Sequence, residues 1–295
     1  MSLGWKMYNT LCILVNARGI GWNYQIPHIP IVATETRARF LLQRTLRVVG
    51  LVLLADAAQT YMDLNPIFSL PEDRAVSIGS QGITLRALNT LAYGGRSYCA
   101  LSLGYDVLAV ISVLVGLSEP KAWPPMLGRV SDSYTVRRFW SRVWQQIMLR
   151  YLAAGGRLAA HALGLARGTW LSARVQLVVA FTISGIAHLP GDMMVHPKWA
   201  GASFWFFPAQ VAAITLEDFV IIHGKRLSAR DAPWVRSVGY LWTAAWFTYS
   251  APLFIDWAVQ AGLARDRLLG PVIVRSLVDA LAPALGCDNI LAMVP

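Results

Sequence analysis

Phe181-Thr182-Ile183-Ser184-Gly185-Ile186-Ala187-His188-Leu189-Pro190-Gly191-Asp192 closes an apolar run that begins near Val175. The run has the character of a membrane-embedded helix, and a histidine sits deep within it. An ionisable side chain in hydrocarbon is costly, so its default reading is a functional site. Runs of this kind recur along the chain. They predict an all-α fold: a polytopic membrane helical bundle of about six to eight transmembrane or re-entrant helices, with amphipathic interfacial helices beside them.

Composition agrees. Of 295 residues, 56% are hydrophobic and only 14% charged, where a soluble domain carries nearer 25% charged residues. The 12 Trp and 10 Tyr fit interfacial aromatic belts. Net charge is +10. The arginines fall in gaps between apolar runs and form no single basic stripe. That argues against nucleic acid as a partner and for a positive-inside bias. Cys12, Cys99 and Cys287 are far apart and form no CxxC, so neither a disulfide framework nor a zinc site is expected. Leu11 to Val15 is too short for the apolar core of a signal peptide.

Taken in order, Arg18-Gly19-Ile20-Gly21-Trp22-Asn23-Tyr24 reads as an interfacial loop, and Pro27 and Pro30 keep the next piece extended. Arginines 37, 39, 44 and 47 mark a helix that enters the membrane near Val48. The expected spans are Leu46 to Met62, which holds Asp56; Ser97 to Leu117, which holds Asp106; Leu171 to Leu189; Trp199 to Ile222; Val235 to Trp257; and a weaker Leu268 to Leu285. Residues 65 to 96 read as a polar gap. From Tyr134 to Tyr151 apolar residues recur at spacings of three and four, an amphipathic helix along the membrane surface. Ser131, Asp132 and Ser133 are its candidate N-caps, and Gly155-Gly156 should break it. The Arg-rich segments 18 to 47, 118 to 170 and 223 to 236 fall on one side of an alternating topology, the cytosolic side. With no long linker, the chain reads as one integral-membrane domain over residues 1–295.

His188 takes up a proton near neutral pH, which suits a general base acting on a hydroxyl. The competing reading is a histidine bonded to a backbone carbonyl at a helix end, since Pro190 should interrupt the helix two residues later. Asp192 either orients His188 or sits in the following loop. Ser184 and Gly185 permit close helix packing. Glu217 and Asp218 project about 100° apart on a helix, so one can bond within the bundle while the other faces an arginine or water. Trp144-Gln145-Gln146 sets amides beside aromatics. An amide can donate to an oxyanion, or simply form the polar edge of an amphipathic helix. No GxSxG elbow, HExxH, aspartate-rich diphosphate motif or P-loop occurs, so no metal is implied.

Four of these stretches in order resemble the wax-synthase-like branch of the membrane-bound O-acyltransferases, above all its fungal members that acetylate secondary metabolites. They are Arg18 to Asn23, Phe139 to Gln146, Ser184 to His188, and Glu217-Asp218. The resemblance covers roughly residues 10 to 260. It departs at Gln145, where fungal relatives often carry histidine, and at the start, where the family's N-terminal helices are expected to be missing. It implies acyl transfer from acyl-CoA, acetyl-CoA in the first instance, to a hydroxyl of a hydrophobic terpenoid or related metabolite. No bound cofactor is implied. His188 would be the base, with Gln145 or Gln146 positioning the acyl carbonyl. Trp140, Trp144, Arg138, Arg142, Ser184, Glu217 and Asp218 would line the substrates, and Arg137, Arg138 and Arg142 would attract the CoA phosphates. The partners implied are the alcohol, acyl-CoA and the lipid bilayer, with the endoplasmic reticulum inferred from class.

Two rivals stand beside it. One is a membrane terpene cyclase that protonates its substrate from Glu217, Asp218 or Asp192. The other is a non-catalytic membrane protein. The topology also sets a geometric problem: Gln145-Gln146 falls on the cytosolic side and His188 near the far end of its span. A broken or re-entrant helix would join them.

Overall fold

A computed structural model of the chain describes residues 2–4, 6–7, 10, 16–30, 36–144, 146–226, 233–268 and 273–281. Among the described residues every regular element is helical. The longer helices are α1 (Arg37–Leu64), α2 (Ile83–Leu114), α3 (Leu149–Ala162), α4 (Trp170–Val195), α5 (Phe206–Arg226), α6 (Pro233–Ser250), α7 (Pro252–Gln260) and α8 (Ile273–Leu281). Of these, α2, α4 and the Phe206–Gly224 part of α5 are long and apolar enough to cross a membrane. Their outward faces suit lipid: Leu91, Leu108 and Leu114 on α2 and Phe219 and Val220 on α5 are all more than half exposed.

The chain divides into two compact units. A hairpin unit comprises Glu35–Ser118, His188–Phe206 and Ala245–Pro295. A second unit comprises Met1–Thr34, Glu119–Ala187 and Phe207–Ala244.

In the hairpin unit α1 and α2 run antiparallel. The contacts fix the register: Arg44 meets Asp106, Leu51 and Ala55 pack with Cys99 and Leu103, and Tyr61 bonds Asn89. Asp106 is fully buried. It pairs with Arg44 and, at 2.9 Å, with the Nε of Arg47, so the two helices neutralise their own charges. Asp56 accepts the backbone N–H of Val274 at 2.7 Å, which ties α8 to α1. The turn between α1 and α2 is held by amides: Asn65 and Gln81 exchange hydrogen bonds, and Asn89 donates to the Ile78 carbonyl. Met62, Ile67, Phe68, Ile78, Ile255 and Val259 close over it as a core.

Several sequence expectations need correction here. The gap after residue 65 ends at Ile83, not at residue 96, because the left-handed Gly82 (φ 88°) launches α2. The span expected from Trp199 begins at Phe206, after the short helix Pro197–Trp199 and a left-handed Gly201. Val235 to Trp257 is two helices, since Pro252 opens α7 in the first-turn position that proline favours. Pro190 does not end its helix: α4 continues to Val195, and the ring costs only the bond that the Ile186 carbonyl would otherwise accept.

In the second unit the expected Tyr134 to Tyr151 helix is not continuous. Thr135, rather than the three residues proposed as caps, accepts from the N–H of Arg138 and starts a single turn at Val136–Arg138. A π turn follows at Phe139–Val143, and Trp144 is extended (ψ 135°). A regular helix resumes only at Leu149. Gly155 and Gly156 lie inside it instead of breaking it. A Cβ on Gly156 would stand 2.8 Å from the Gln176 carbonyl oxygen, so these glycines let α3 press against the backbone of α4.

Candidate active site

The π turn is shaped by groups distant in sequence. Glu217 of α5 is buried, and its carboxylate accepts the backbone N–H groups of Val136 and Arg137, the latter at 3.1 Å, and the indole N–H of Trp242 at 2.8 Å. It caps the turn that leads into the π segment, where a negative charge is favoured. Asp218 faces elsewhere, as the 100° offset requires. It receives Nε and Nη2 of Arg137 at 3.2 and 2.6 Å, and Nη2 of Arg174. The expected division of labour between the two acids therefore holds, with Glu217 bonded inside the unit and Asp218 on arginines.

From the other side Arg18, itself buried, donates to the carbonyls of Pro125 and Pro124 at 2.7 and 3.0 Å. This steadies the loop whose Gly128 N–H donates to the Val143 carbonyl at 2.9 Å. A Cβ at Gly128 would lie 1.9 Å from the Arg142 carbonyl oxygen, so only glycine admits this approach.

The π segment holds its aromatics between those supports. Trp140 donates its indole N–H to Oε1 of the buried Gln210 at 3.3 Å and meets the Phe181 ring edge-on at 5.8 Å. Trp144 stacks on Phe139, with ring centroids 5.9 Å apart. Gln146 is fully buried. Its Nε2 donates to the Arg142 carbonyl at 3.0 Å, while its Oε1 has no partner. Gln145 lies outside the described residues. Arg138 stacks over Tyr134 at 4.3 Å and approaches Asp132 at 3.8 Å. Ser184 is half-buried on α4, one turn before His188.

His188 belongs to the hairpin unit with its own surroundings. It is half-buried, and its ring meets Phe254 of α7 edge to face at 5.6 Å. Phe254 in turn packs on Phe206 at 5.3 Å. Asp192 is one turn further along α4, on the same face as His188. It is not in a loop: it is buried, and Oδ2 accepts both the N–H (3.2 Å) and the hydroxyl (2.8 Å) of Ser203.

Arg174, Gln210, Trp242 and Ser203 were not singled out from the sequence. Arg174 and Gln210 left a usable signal, each being an isolated polar residue in an apolar run. Trp242 and Ser203 left none. Among the described residues no group of His, Cys, Asp and Glu is placed to hold a metal.

Comparison with known proteins fits this arrangement. Residues 123–209 match the model of the membrane bound O-acyl transferase family, and residues 36–114 match that of the aspirochlorine biosynthesis protein F C-terminal domain. The chain is 35% identical over 245 residues to acetyltransferase ple2 of Rhodocybe pseudopiperita, covering 81% of this chain and 63% of that one. It is 31% identical over 256 residues to acetyltransferase eriL of Hericium erinaceus, covering 84% and 65%. Acetyltransferase sirH of Emericella nidulans is 32% identical over 241 residues, covering 80% and 56%. The chain thus spans less than two thirds of the length of each of these relatives. No solved structure matches it. Residues 123–209 thus resemble the class of the membrane-bound O-acyltransferases. Within it the chain is similar to the fungal secondary-metabolite acetyltransferase type, as the four motifs predicted.

Proposed function

We propose that this protein is a membrane-bound O-acyltransferase that moves an acyl group, acetyl in the first instance, from acyl-CoA to a hydroxyl of a hydrophobic terpenoid or related secondary metabolite. The observation that carries the reading is His188 on a membrane-length helix: half-buried, backed by Phe254, with the locked carboxylate of Asp192 one turn away.

In the proposed reaction the acceptor oxygen attacks the thioester carbonyl carbon while a ring nitrogen of His188 takes the hydroxyl proton. The tetrahedral oxyanion collapses, the C–S bond breaks, and the CoA sulfur leaves with that proton. No covalent enzyme intermediate is required. Trp140, Trp144 and Ser184 line the path of the substrates in this reading. Gln146 meets the acyl group with its remaining amide N–H, Gln145 supports it, and Arg138 and Arg142 attract the donor. Glu217 and Asp218 act on the substrates through the turn and the arginines they hold. The chain acts as a single multi-pass domain in the endoplasmic reticulum membrane, and its acceptor enters from the bilayer.

The cyclase reading asks Glu217, Asp218 or Asp192 to hold a proton for donation. All three already accept hydrogen bonds from N–H or O–H groups of the protein, which ties them to the fold.

Microsomes carrying the full chain, fed labelled acetyl-CoA and candidate alcohols, should yield products heavier by one acetyl group. His188→Ala should abolish that product while leaving the amount of folded protein unchanged. Retained turnover in the variant removes His188 as base. An isomer of unchanged mass, formed without acyl-CoA, favours the cyclase.

A further inference from the structure

Arg150 and Tyr24 form a pair that the reading above does not use. The Arg150 guanidinium lies over the Tyr24 ring, 4.2 Å from its centroid. Two donors of this pair are buried and lack any acceptor: Nη1 of Arg150 and the hydroxyl of Tyr24. Buried donors without partners are rare, because each forfeits its bonds to water. Here two of them share one stack.

The pair is pre-formed, and its guanidinium is not neutralised by a carboxylate: among the described residues no carboxylate pairs with Arg150, whereas Arg137 and Arg174 both pair with Asp218. Tyr24 is held by a tight turn. Gly19 is left-handed (φ 65°), and a Cβ there would lie 2.6 Å from the Tyr24 ring, so the turn is wound against the phenol itself. Ile26 N–H closes the loop on the Arg18 carbonyl at 3.0 Å. The ring is therefore fixed before a ligand arrives, and the stack fixes the guanidinium over it.

We propose that Arg150 and Tyr24 are a binding site for a phosphate group. A phosphate offers the anionic acceptor oxygens that a guanidinium N–H and a phenol O–H both lack here. Both residues lie in arginine-rich segments that the charge bias assigns to the cytosolic side, where phosphate-bearing donors and headgroups are found. Two sources share this chemistry: the CoA moiety of the acyl donor, which rests on the acyltransferase reading, and the headgroup of an acidic phospholipid.

The test uses the full chain in detergent micelles and in vesicles. In micelles, binding of CoA is compared with binding of acetyl-pantetheine, which carries the thioester without phosphate. Arg150→Gln should weaken CoA binding about tenfold and Tyr24→Phe about threefold, the scale of one charge-assisted and one neutral hydrogen bond. Acetyl-pantetheine binding should not change. That result supports the site with CoA as its ligand.

In the second arm the chain is placed in phosphatidylcholine vesicles with and without phosphatidic acid. A rise in melting temperature with phosphatidic acid that both variants lose supports the site with a lipid phosphate as its ligand. If both variants match the parent in CoA binding and in the response to phosphatidic acid, the proposal is overturned. Tyr24→Phe keeps the ring under the guanidinium, so it remains informative if Arg150→Gln fails to fold. Binding is read without turnover. A parent chain that binds CoA through this pair but transfers no acyl group would sink the acyltransferase reading and leave the site standing.

Discussion

Glu217→Gln is the sharpest perturbation of the π-turn unit. The glutamate is 5% exposed, and its two oxygens accept three N–H groups: those of Val136 and Arg137 and the indole of Trp242. The amide keeps one acceptor oxygen and turns the other into a donor that faces N–H groups. One or two charge-assisted bonds are lost and at least one buried N–H is orphaned. At about 1.5–3 kcal/mol for a bond to a charged group, the loss should be about 2–4 kcal/mol. For a chain of this size that is about 5–10 °C in apparent melting temperature. The assay is thermal unfolding of the chain in detergent, read by tryptophan emission, which Trp242 and Trp140 should dominate in this region. Trp242→Phe removes one of the same bonds, so the double variant should lose less than the sum of the singles. A Glu217→Gln protein that melts with the parent, or a strictly additive double variant, would show that the carboxylate does not hold the turn.

Asp106→Leu should destabilise the hairpin unit by about 3 kcal/mol or more, because it leaves Arg44 buried without its counter-charge; a denaturant or thermal series checks this. Gly128→Ala should cost about 3 kcal/mol, since its Cβ would meet a backbone oxygen that cannot swing aside, and any transferase turnover should fall with it. A Gly128→Ala chain with the parent's melting temperature would mean the loop and the π turn do not touch in this way.

The helical class was legible because apolar runs of membrane length report themselves through composition alone. The split between Glu217 and Asp218 was legible for a similar reason: a helix turns by 100° per residue whatever surrounds it. The irregular path from residue 134 to 148 was not. Its apolar spacing fits a continuous helix, and what breaks that helix lies elsewhere: a carboxylate 81 residues later that caps Val136, and a glycine whose N–H meets the Val143 carbonyl. Gly155-Gly156 misled in the opposite sense. Local propensity treats two glycines as a break, yet close approach to Gln176 outweighs it.

The same contrast separates polar residues that hold the fold from those left over for a ligand. The sequence marks Asp106, Asp218, Gln210, Gln146 and Arg150 alike, as polar groups in or beside apolar stretches. Folding consumes the first three: Asp106 on two arginines, Asp218 on two more, Gln210 on the indole of Trp140. Their mutation should report on stability. Gln146 keeps an unused oxygen, and Arg150 keeps an unused nitrogen beside an unused phenol. A buried polar atom that the fold leaves unpaired costs free energy in the ligand-free protein, and a bound molecule recovers that cost. On this argument Arg150→Gln and Tyr24→Phe should change ligand binding more than they change stability, and substitution of the acids of α5 should do the reverse.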